Sequence, residues 1–448
     1  MKNKVLFFFQ ASNTVGLYFS LADKLRNENF DVVFVNTSAY LGSEHTDEHC
    51  VASINERKFH YLQIPPDNFK RTTATDIETL EKIFVDTTIK LVVVPYEFNF
   101  YYFVVNLARL HKIKTLHIQH GLWGPGKFLT GYNRTEEPAQ HAPDDLSKGN
   151  KKRRKEKRRG VFARLKNLFA QKEAVQAVSP ANSFTPEIQS IINAQSEDRK
   201  KGVLFPLTAD FIAVPSEYYK QIVLDEVPGY SESAILVCGY LRNDLMLGDN
   251  TDIADFFGLP KGKNIVSYFY SPFYLTGQRF TEKYDSLQAL DDFIDTCNRH
   301  IENTFFLILM HPTGIKEIPR LKDFLQLKGR SNFFVTLSKD KQGAIYKQSC
   351  LIGGAKTAAL TEAALFTHRI IRQNYVLGGL QEPFQLDFNC LFTVSHPKHL
   401  DMIIKKTLAA DADTHSDGIR YVIGDTNKHC GNTLYELLVK QVQLSGSA

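Results

Sequence analysis

The stretch Lys4-Val5-Leu6-Phe7-Phe8-Phe9-Gln10 decides how this chain is built, together with the polar loop Ala11 to Gly16, the helix-spaced run Leu17 to Asn27 and Asp31-Val32-Val33-Phe34-Val35-Asn36. An unbroken apolar run of this length, with no polar alternation, reads as a strand covered on both faces. Strand, loop, helix and strand in that order open a parallel α/β unit. The same alternation recurs at Ile89 to Pro95 and Lys114 to Ile118, with helical segments Asp76 to Phe84 and Tyr101 to His111 between them. It breaks off between about Asn133 and Lys201, then resumes at Ala209 to Pro215 and Ala234 to Gly239, on either side of the helix Glu217 to Leu224.

A second series of strands follows at Asn264 to Phe269, Phe305 to Met310, Asn332 to Thr336, Ser349 to Gly353 and Arg369 to Arg372. Helices such as Ser286 to Arg299 and Thr361 to Leu365 separate them. A chain of 448 residues is too long for one ordinary core. The expected fold class is therefore α/β with two Rossmann-like, doubly wound domains facing a central cleft. Residues 1–250 form the first and residues 251–432 the second, with a terminal helix and flexible tail over 433–448. The helical run Thr433 to Gln443 is expected to pack back across the first unit.

Composition narrows the class. With 43% hydrophobic and 23% charged residues the chain is that of a folded globular protein, which excludes overall disorder. The opening apolar run is too short for a secretory signal, and no apolar stretch approaches the ~18 residues of a membrane span. The six cysteines stand singly, without a CxxC pair, as expected of reduced thiols in a cytoplasmic protein.

The net charge of +5 is unevenly spread. Between Lys148 and Lys172 there are twelve Lys or Arg and one acidic residue, Glu156, a local charge of +11 that leaves −6 for the rest. Beside this run, Phe162, Leu165, Leu168 and Phe169 share one helical face. A polybasic run next to a short amphipathic helix suits an anionic membrane surface. A solvated insert is the plainer alternative. Nucleic acid is not the expected partner, because the aromatic interleaving of a single-strand platform is missing.

Four strings carry chemistry, each at the end of a buried strand, where ligands collect in such sheets. In Ile118-Gln119-His120-Gly121-Leu122-Trp123, His120 can take a proton from a hydroxyl at neutral pH, and Trp123 can stack on a sugar ring or fill the core. Gln119 and Trp123, with Asn13 in the loop after the first strand, are the candidate acceptor-side residues. In Gly239-Tyr240-Leu241-Arg242-Asn243-Asp244, Arg242 offers a fork of donors suited to phosphate. The alternative there is a hinge with Asp244 capping the next helix. His311-Pro312 closes an apolar strand, and the imidazole can meet a nucleotide phosphate. In Gly353-Gly354-Ala355-Lys356-Thr357 and the helix after it, backbone N–H groups, Gly354, Lys356 and Thr357 form an anion site. Thr361 and Glu362 lie one turn on, Glu362 to accept from ribose hydroxyls. The spacing is not that of a nucleotide-hydrolysing GxxxxGK[ST] loop. Asp411-Ala412-Asp413 is the only plausible DxD string and sits in a late polar loop, so no essential metal and no cofactor is expected.

Taken in order from roughly Thr115 to Leu380, these strings resemble GT-B glycosyltransferases of bacterial surface polysaccharide synthesis. The likeness is to the CDP-glycerol glycerophosphotransferase and capsule-polysaccharide (Kdo or sialic acid transferase) groups. Gln119-His120-Gly121 is similar to the family's QHG element, which implies His120 as the catalytic base. Gly239 to Asp244 is similar to its G-x-PR-x-D turn, with Leu241 in place of Pro. Tyr270-Ser271-Pro272-Phe273 stands where the donor lobe carries a loop after its first strand, and His311-Pro312 is similar to the HP motif that holds the nucleotide. Gly353 to Glu362 stands at the phosphate loop, with Lys356-Thr357 in place of a Ser/Thr pair.

The resemblance implies transfer of a sugar from a nucleotide-activated donor to a polysaccharide or lipopolysaccharide acceptor, at the inner face of the cytoplasmic membrane. Its donor-side residues are Arg242, Ser271, His311, Gly354, Lys356, Thr357, Thr361 and Glu362. A glycerophosphotransferase, an isomerase like the UDP-GlcNAc 2-epimerases and a non-enzymatic assembly component are the alternatives. The epimerases need acidic residues in the first lobe, where this chain has Gln119-His120.

Overall fold

The computed structural model describes residues 2–9, 12–37, 47–64, 74–95, 100–118, 184–200, 209–227, 229–270, 286–310, 312–337, 341–355, 357–375, 391–410, 423–424 and 429–442. Seven strands make the first sheet: β1 (Lys4–Phe9), β2 (Asp31–Asn36), β3 (His60–Gln63), β4 (Ile89–Val94), β5 (Lys114–Ile118), β6 (Phe211–Val214) and β7 (Ile235–Val237). Their order is β3-β2-β1-β4-β5-β6-β7, and every pairing is parallel. Six make the second: β8 (Asn264–Tyr270), β9 (Thr304–Met310), β10 (Phe333–Leu337), β11 (Leu351–Gly354), β12 (Ile370–Gln373) and β13 (Leu391–Val394). Their order is β10-β9-β8-β11-β12-β13, again all parallel. The molecule thus has the two parallel, doubly wound sheets that the alternation of apolar runs predicts.

Burial explains why the strands are so apolar. Helices α1 (Ser12–Asn27), α2 (Asp47–Glu56), α3 (Ala74–Phe84), α4 (Phe100–Leu110), α5 (Pro186–Lys200) and α6 (Glu217–Glu226) accompany the first sheet. In β1, Val5, Phe7 and Phe9 join the cluster holding Tyr18 and Leu21 of α1. Leu6 and Phe8 point the other way, into the cluster of Leu80 and Val104. Both faces are dry, and each large apolar side chain so buried contributes about 1.5–3 kcal/mol. Strand β3 escapes this pattern, because His60-Tyr61-Leu62-Gln63 is a short edge strand and largely exposed. Edge position removes the apolar signal by which a strand is recognised.

Between the sheets run α7 (Arg242–Gly248) and α8 (Ile253–Phe257). The second sheet is covered by α9 (Ser286–His300), α10 (Ile318–Leu327), α11 (Gln342–Gln348), α12 (Ala358–Ala363) and α13 (Leu400–Ala409). One apolar cluster runs through both units, joining Leu241 and Met246 at α7 to Ala344, Ile345 and Tyr346 of α11. The helices α7 and α11 touch backbone to side-chain position, since a Cβ on Gly343 would stand 2.1 Å from the Met246 carbonyl oxygen. From α11, Lys347 Nζ donates to the carbonyls of Leu247 at 2.7 Å and Asp249 at 2.9 Å, which are otherwise orphaned at the end of α7.

The last helix, α14 (Cys430–Val442), returns to the first unit and packs on α1. Its start is capped from far away. Asp244 accepts from the backbone N–H of Cys430 and of Gly431, both at 2.9 Å, and Ser20 and His429 also bond its carboxylate. Asp244 therefore caps the final helix, 186 residues downstream, rather than the helix that follows it in sequence. Gly431 permits the approach, because a Cβ there would lie 2.6 Å from the Ser20 backbone carbon.

Among the described residues no disulfide forms, and burial pushes the Cys238 thiol up to about 12 and that of Cys350 to about 11. Among the described residues no helix is long and apolar enough to cross a membrane. The basic segment 148–172 lies outside the described residues.

Candidate functional site

Ligands in open parallel sheets collect where the strand order reverses, at the carboxyl ends of the strands. In the second sheet that point lies between β8 and β11. Strand β11 ends at Gly354, paired with Phe269 of β8, and α12 begins at Ala358. Thr357 is the N-cap of α12, its hydroxyl accepting from the Ala359 N–H at 3.3 Å. Gly354 is needed here for close packing, since a Cβ would meet the Phe269 carbonyl oxygen at 3.0 Å. Thr361 and Glu362 follow within α12 and are buried. The strand–glycine–helix turn therefore sits at the strand-order reversal of this sheet, where ligands collect in open parallel sheets.

In the first sheet the reversal lies between β1 and β4. Strand β5, one place further along, ends at Ile118 at the carboxyl edge of the sheet. Gln119, His120 and Trp123 lie outside the described residues, as do Ser271, His311 and Lys356; of Asn13 only the backbone is described, at the start of α1.

Arg242 and Glu362 are brought together, though they are 120 residues apart in different units. Glu362 Oε1 accepts from the Tyr240 hydroxyl at 2.9 Å and from Arg242 Nη1 at 3.3 Å, and Oε2 accepts from the Tyr346 hydroxyl at 3.0 Å. Arg242 Nη2 also donates to the Gln342 side-chain oxygen. The carboxylate is deeply buried, its side chain 3% exposed, whereas the Arg242 side chain is 25% exposed. Burial drives both tyrosine phenols up, and the Glu362 charge adds to it, so both remain O–H donors at all ordinary pH. Burial opposes the Arg242 charge, but the facing carboxylate and the two tyrosines outweigh it and hold the guanidinium protonated.

This five-residue network of Tyr240, Arg242, Gln342, Tyr346 and Glu362 links the turn after β7 to the phosphate-type turn after β11. Tyr240, Gln342 and Tyr346 were not legible as site residues, because no local spacing in the sequence connects them.

A groove of about 530 Å³ lies elsewhere, at the amino ends of β1 to β3, lined by Lys2, Lys4, Arg26, Lys58 and His60 among others. Local acids answer most of its charge: Lys4 pairs with Asp86, Arg26 with Asp23 and His60 with Asp31. It occupies the end of the sheet opposite the carboxyl ends of the strands. Among the described residues no group of three His, Cys, Asp or Glu stands together in a way that could hold a metal ion; Asp411 and Asp413 fall outside them.

No protein-family model matches the sequence, and no curated protein matches it either. Solved structures do. A putative UDP-N-acetylglucosamine 2-epimerase from Listeria monocytogenes superposes with a TM-score of 0.60 at 13% identity, over 100% of this chain and 98% of that one. A glycosyltransferase from Rickettsia africae does so with a TM-score of 0.54 at 11% identity, over 100% of both chains. The wall teichoic acid polymerase TagF does so with a TM-score of 0.51 at 12% identity, over 99% of this chain and 90% of that one.

The fold is GT-B. At these identities the likeness speaks for the fold, and the GT-B architecture is the arrangement of two parallel sheets described above.

Proposed function

We propose that the chain is a GT-B glycosyltransferase that moves a sugar of the Kdo or sialic acid kind from a nucleotide-activated donor to a bacterial surface polysaccharide or lipopolysaccharide. The observation that carries this reading is the turn from Gly354 to Thr357 at the strand-order reversal of the second sheet. A nucleotide phosphate fits such a turn, with Lys356, His311, Ser271 and Arg242 as further donors and Thr361 and Glu362 in the helix behind it. The acceptor then belongs at the carboxyl edge of the first sheet, beside Asn13, Gln119 and Trp123.

His120 takes the proton from the acceptor hydroxyl as that oxygen attacks the activated carbon. The donors of the second unit stabilise the negative charge that develops on the leaving phosphate, and no metal or cofactor is required by this set. The segment Lys148 to Lys172 holds the protein to an anionic membrane surface from the cytoplasmic side, and nucleic acid is not a partner.

One observation favours a second reading. A structurally similar protein is named as a putative UDP-N-acetylglucosamine 2-epimerase. The residues after β5 argue against isomerisation here, because Gln119-His120 offers no carboxylate for proton shuttling. The likeness in fold to a wall teichoic acid polymerase keeps the glycerophosphotransferase as a further alternative. Incubation with CMP-, CDP- and UDP-linked donors, followed by nuclear magnetic resonance, separates transfer from isomerisation, and the donor consumed separates sugar transfer from glycerol phosphate transfer. Release of free nucleotide with an acceptor present supports transfer; a C2 epimer with the nucleotide still attached supports the isomerase. In the transferase, His120→Ala lowers kcat by roughly 10²–10⁴-fold with nucleotide affinity nearly unchanged. Equal turnover in mutant and parent removes His120 from the mechanism.

A further inference from the structure

We propose that Glu362 acts on the nucleotide through Arg242, as a positioning residue that aims the guanidinium at a phosphate, and does not itself bind the ribose. The proposal rests on the donor-site reading above and assigns the division of labour within it. It departs from the role that the sequence position of Glu362 suggests.

The geometry leaves little room for a ribose at Glu362. The side chain is almost fully buried, and both oxygens are engaged by three donors, two from the turn after β7 and one from α11. A sugar hydroxyl would have to displace a buried tyrosine, whose own O–H would then be left unpaired at a cost that disfavours the exchange. Arg242 is in the opposite situation. It is a quarter exposed, and a guanidinium has five N–H donors, so its contacts to Glu362 and Gln342 do not exhaust it. A planar fork held on one side by a carboxylate and an amide presents its remaining edge in a fixed direction, which is what recognition of a phosphate needs.

The two tyrosines fix Glu362 in turn. Tyr240 is two residues before Arg242 and approaches from the first unit, while Tyr346 approaches from α11 of the second. Removing either loosens the carboxylate, and through it the guanidinium, without touching a ligand.

Calorimetric titration of CMP, CDP, UDP and GDP into the full chain identifies the nucleotide that binds. That nucleotide, its form lacking the terminal phosphate and its 2′,3′-dideoxy form are then titrated into the parent, Glu362→Gln and Tyr346→Phe. Glu362→Gln keeps an acceptor oxygen for Tyr240 and Arg242, removes the charge and puts an amide NH2 where Tyr346 donates. The expected result is a loss of about ten-fold in nucleotide affinity, most of which disappears when the terminal phosphate is absent. The dideoxy penalty stays the same in parent and variant, because the two changes act on unconnected contacts. Tyr346→Phe shifts affinity the same way by a smaller factor, about three-fold, and reports even if Glu362→Gln fails to fold. A dideoxy penalty that vanishes in Glu362→Gln overturns the proposal, because it places the ribose on the carboxylate. A loss that is the same with and without the terminal phosphate overturns it as well. Failure of all four nucleotides to bind the parent removes the donor site itself, and this inference with it.

Discussion

Two glycine-containing turns, Gly239 to Asp244 and Gly353 to Glu362, look alike on the page: each follows a short buried strand, each carries a cation and each leads into a helix. Their surroundings make them different. The first follows β7, an edge strand three places from the reversal in its own sheet. It cannot line that sheet's crevice, and its side chains turn outward to hold other parts of the molecule. Asp244 caps α14, and Tyr240 and Arg242 reach across to Glu362. The second follows β11, beside the reversal, and its glycines and Thr357 stay at the crevice. Distance from the strand-order reversal thus goes with a different use of similar residue types: the first turn joins α14 and the second unit to the first, while the second lies where ligands collect in open parallel sheets.

The largest effect that can break this comparison is on stability. If the first turn is a junction, Asp244→Ala strips the cap from α14 and leaves two backbone N–H groups and Ser20 without their acceptor. The expected cost is about 3 kcal/mol, read as a lower urea midpoint, with nucleotide affinity near that of the parent. A normal midpoint with lost nucleotide binding would make Asp244 a ligand residue and merge the two turns in function.

Next in size is the contact that joins the turns. A Cβ at Gly343 would press into the Met246 backbone, so Gly343→Ala must part α11 from α7. Overpacking of this kind costs about 1–3 kcal/mol. The variant should also loosen the Arg242–Glu362 contact, visible as faster hydrogen exchange in α7 and α11. Unchanged exchange there would mean that the two turns are held together by something other than these helices.

Much of this was legible in the sequence, for a physical reason. Strands β1, β4, β8 and β9 lie between two apolar layers, and each reads as a mostly apolar run whose ends match the structure within a residue or so. Strand β3 was not legible, because half-exposed His60 to Gln63 carries no such signal. The Gly354 turn could be placed because strand, glycine and helix are contiguous. The partnership of Arg242 with Glu362 could not, since only the docking of α11 on α7 brings them together. The same holds for Asp244, whose role depends on a helix 186 residues away.

The smallest effect concerns the far end of the first sheet, which serves as a control for both turns. The hydrogen bond from Lys4, with two more from Thr88, lowers Asp86 to about 2 from the ordinary 3.8. A depressed carboxylate stabilises the fold above the ordinary range, and that contribution is lost as pH falls from about 4 through about 2. The pair is partly exposed, so solvent screening leaves about half a kcal/mol. Asp86→Asn should flatten the acid side of the stability profile in that window and leave neutral pH behaviour and nucleotide binding alone. A change in nucleotide affinity would mean that the amino ends of the strands matter to the site.

The central claim is that the turn after β11 holds a nucleotide, and calorimetry on the full chain with CMP, CDP, UDP and GDP tests it most directly when the parent is compared with Lys356→Ala. The account predicts that at least one of the four binds the parent and that Lys356→Ala weakens it about ten-fold or more, through loss of a charge-assisted phosphate contact. Binding of equal strength in both proteins, or no binding to either, would contradict it.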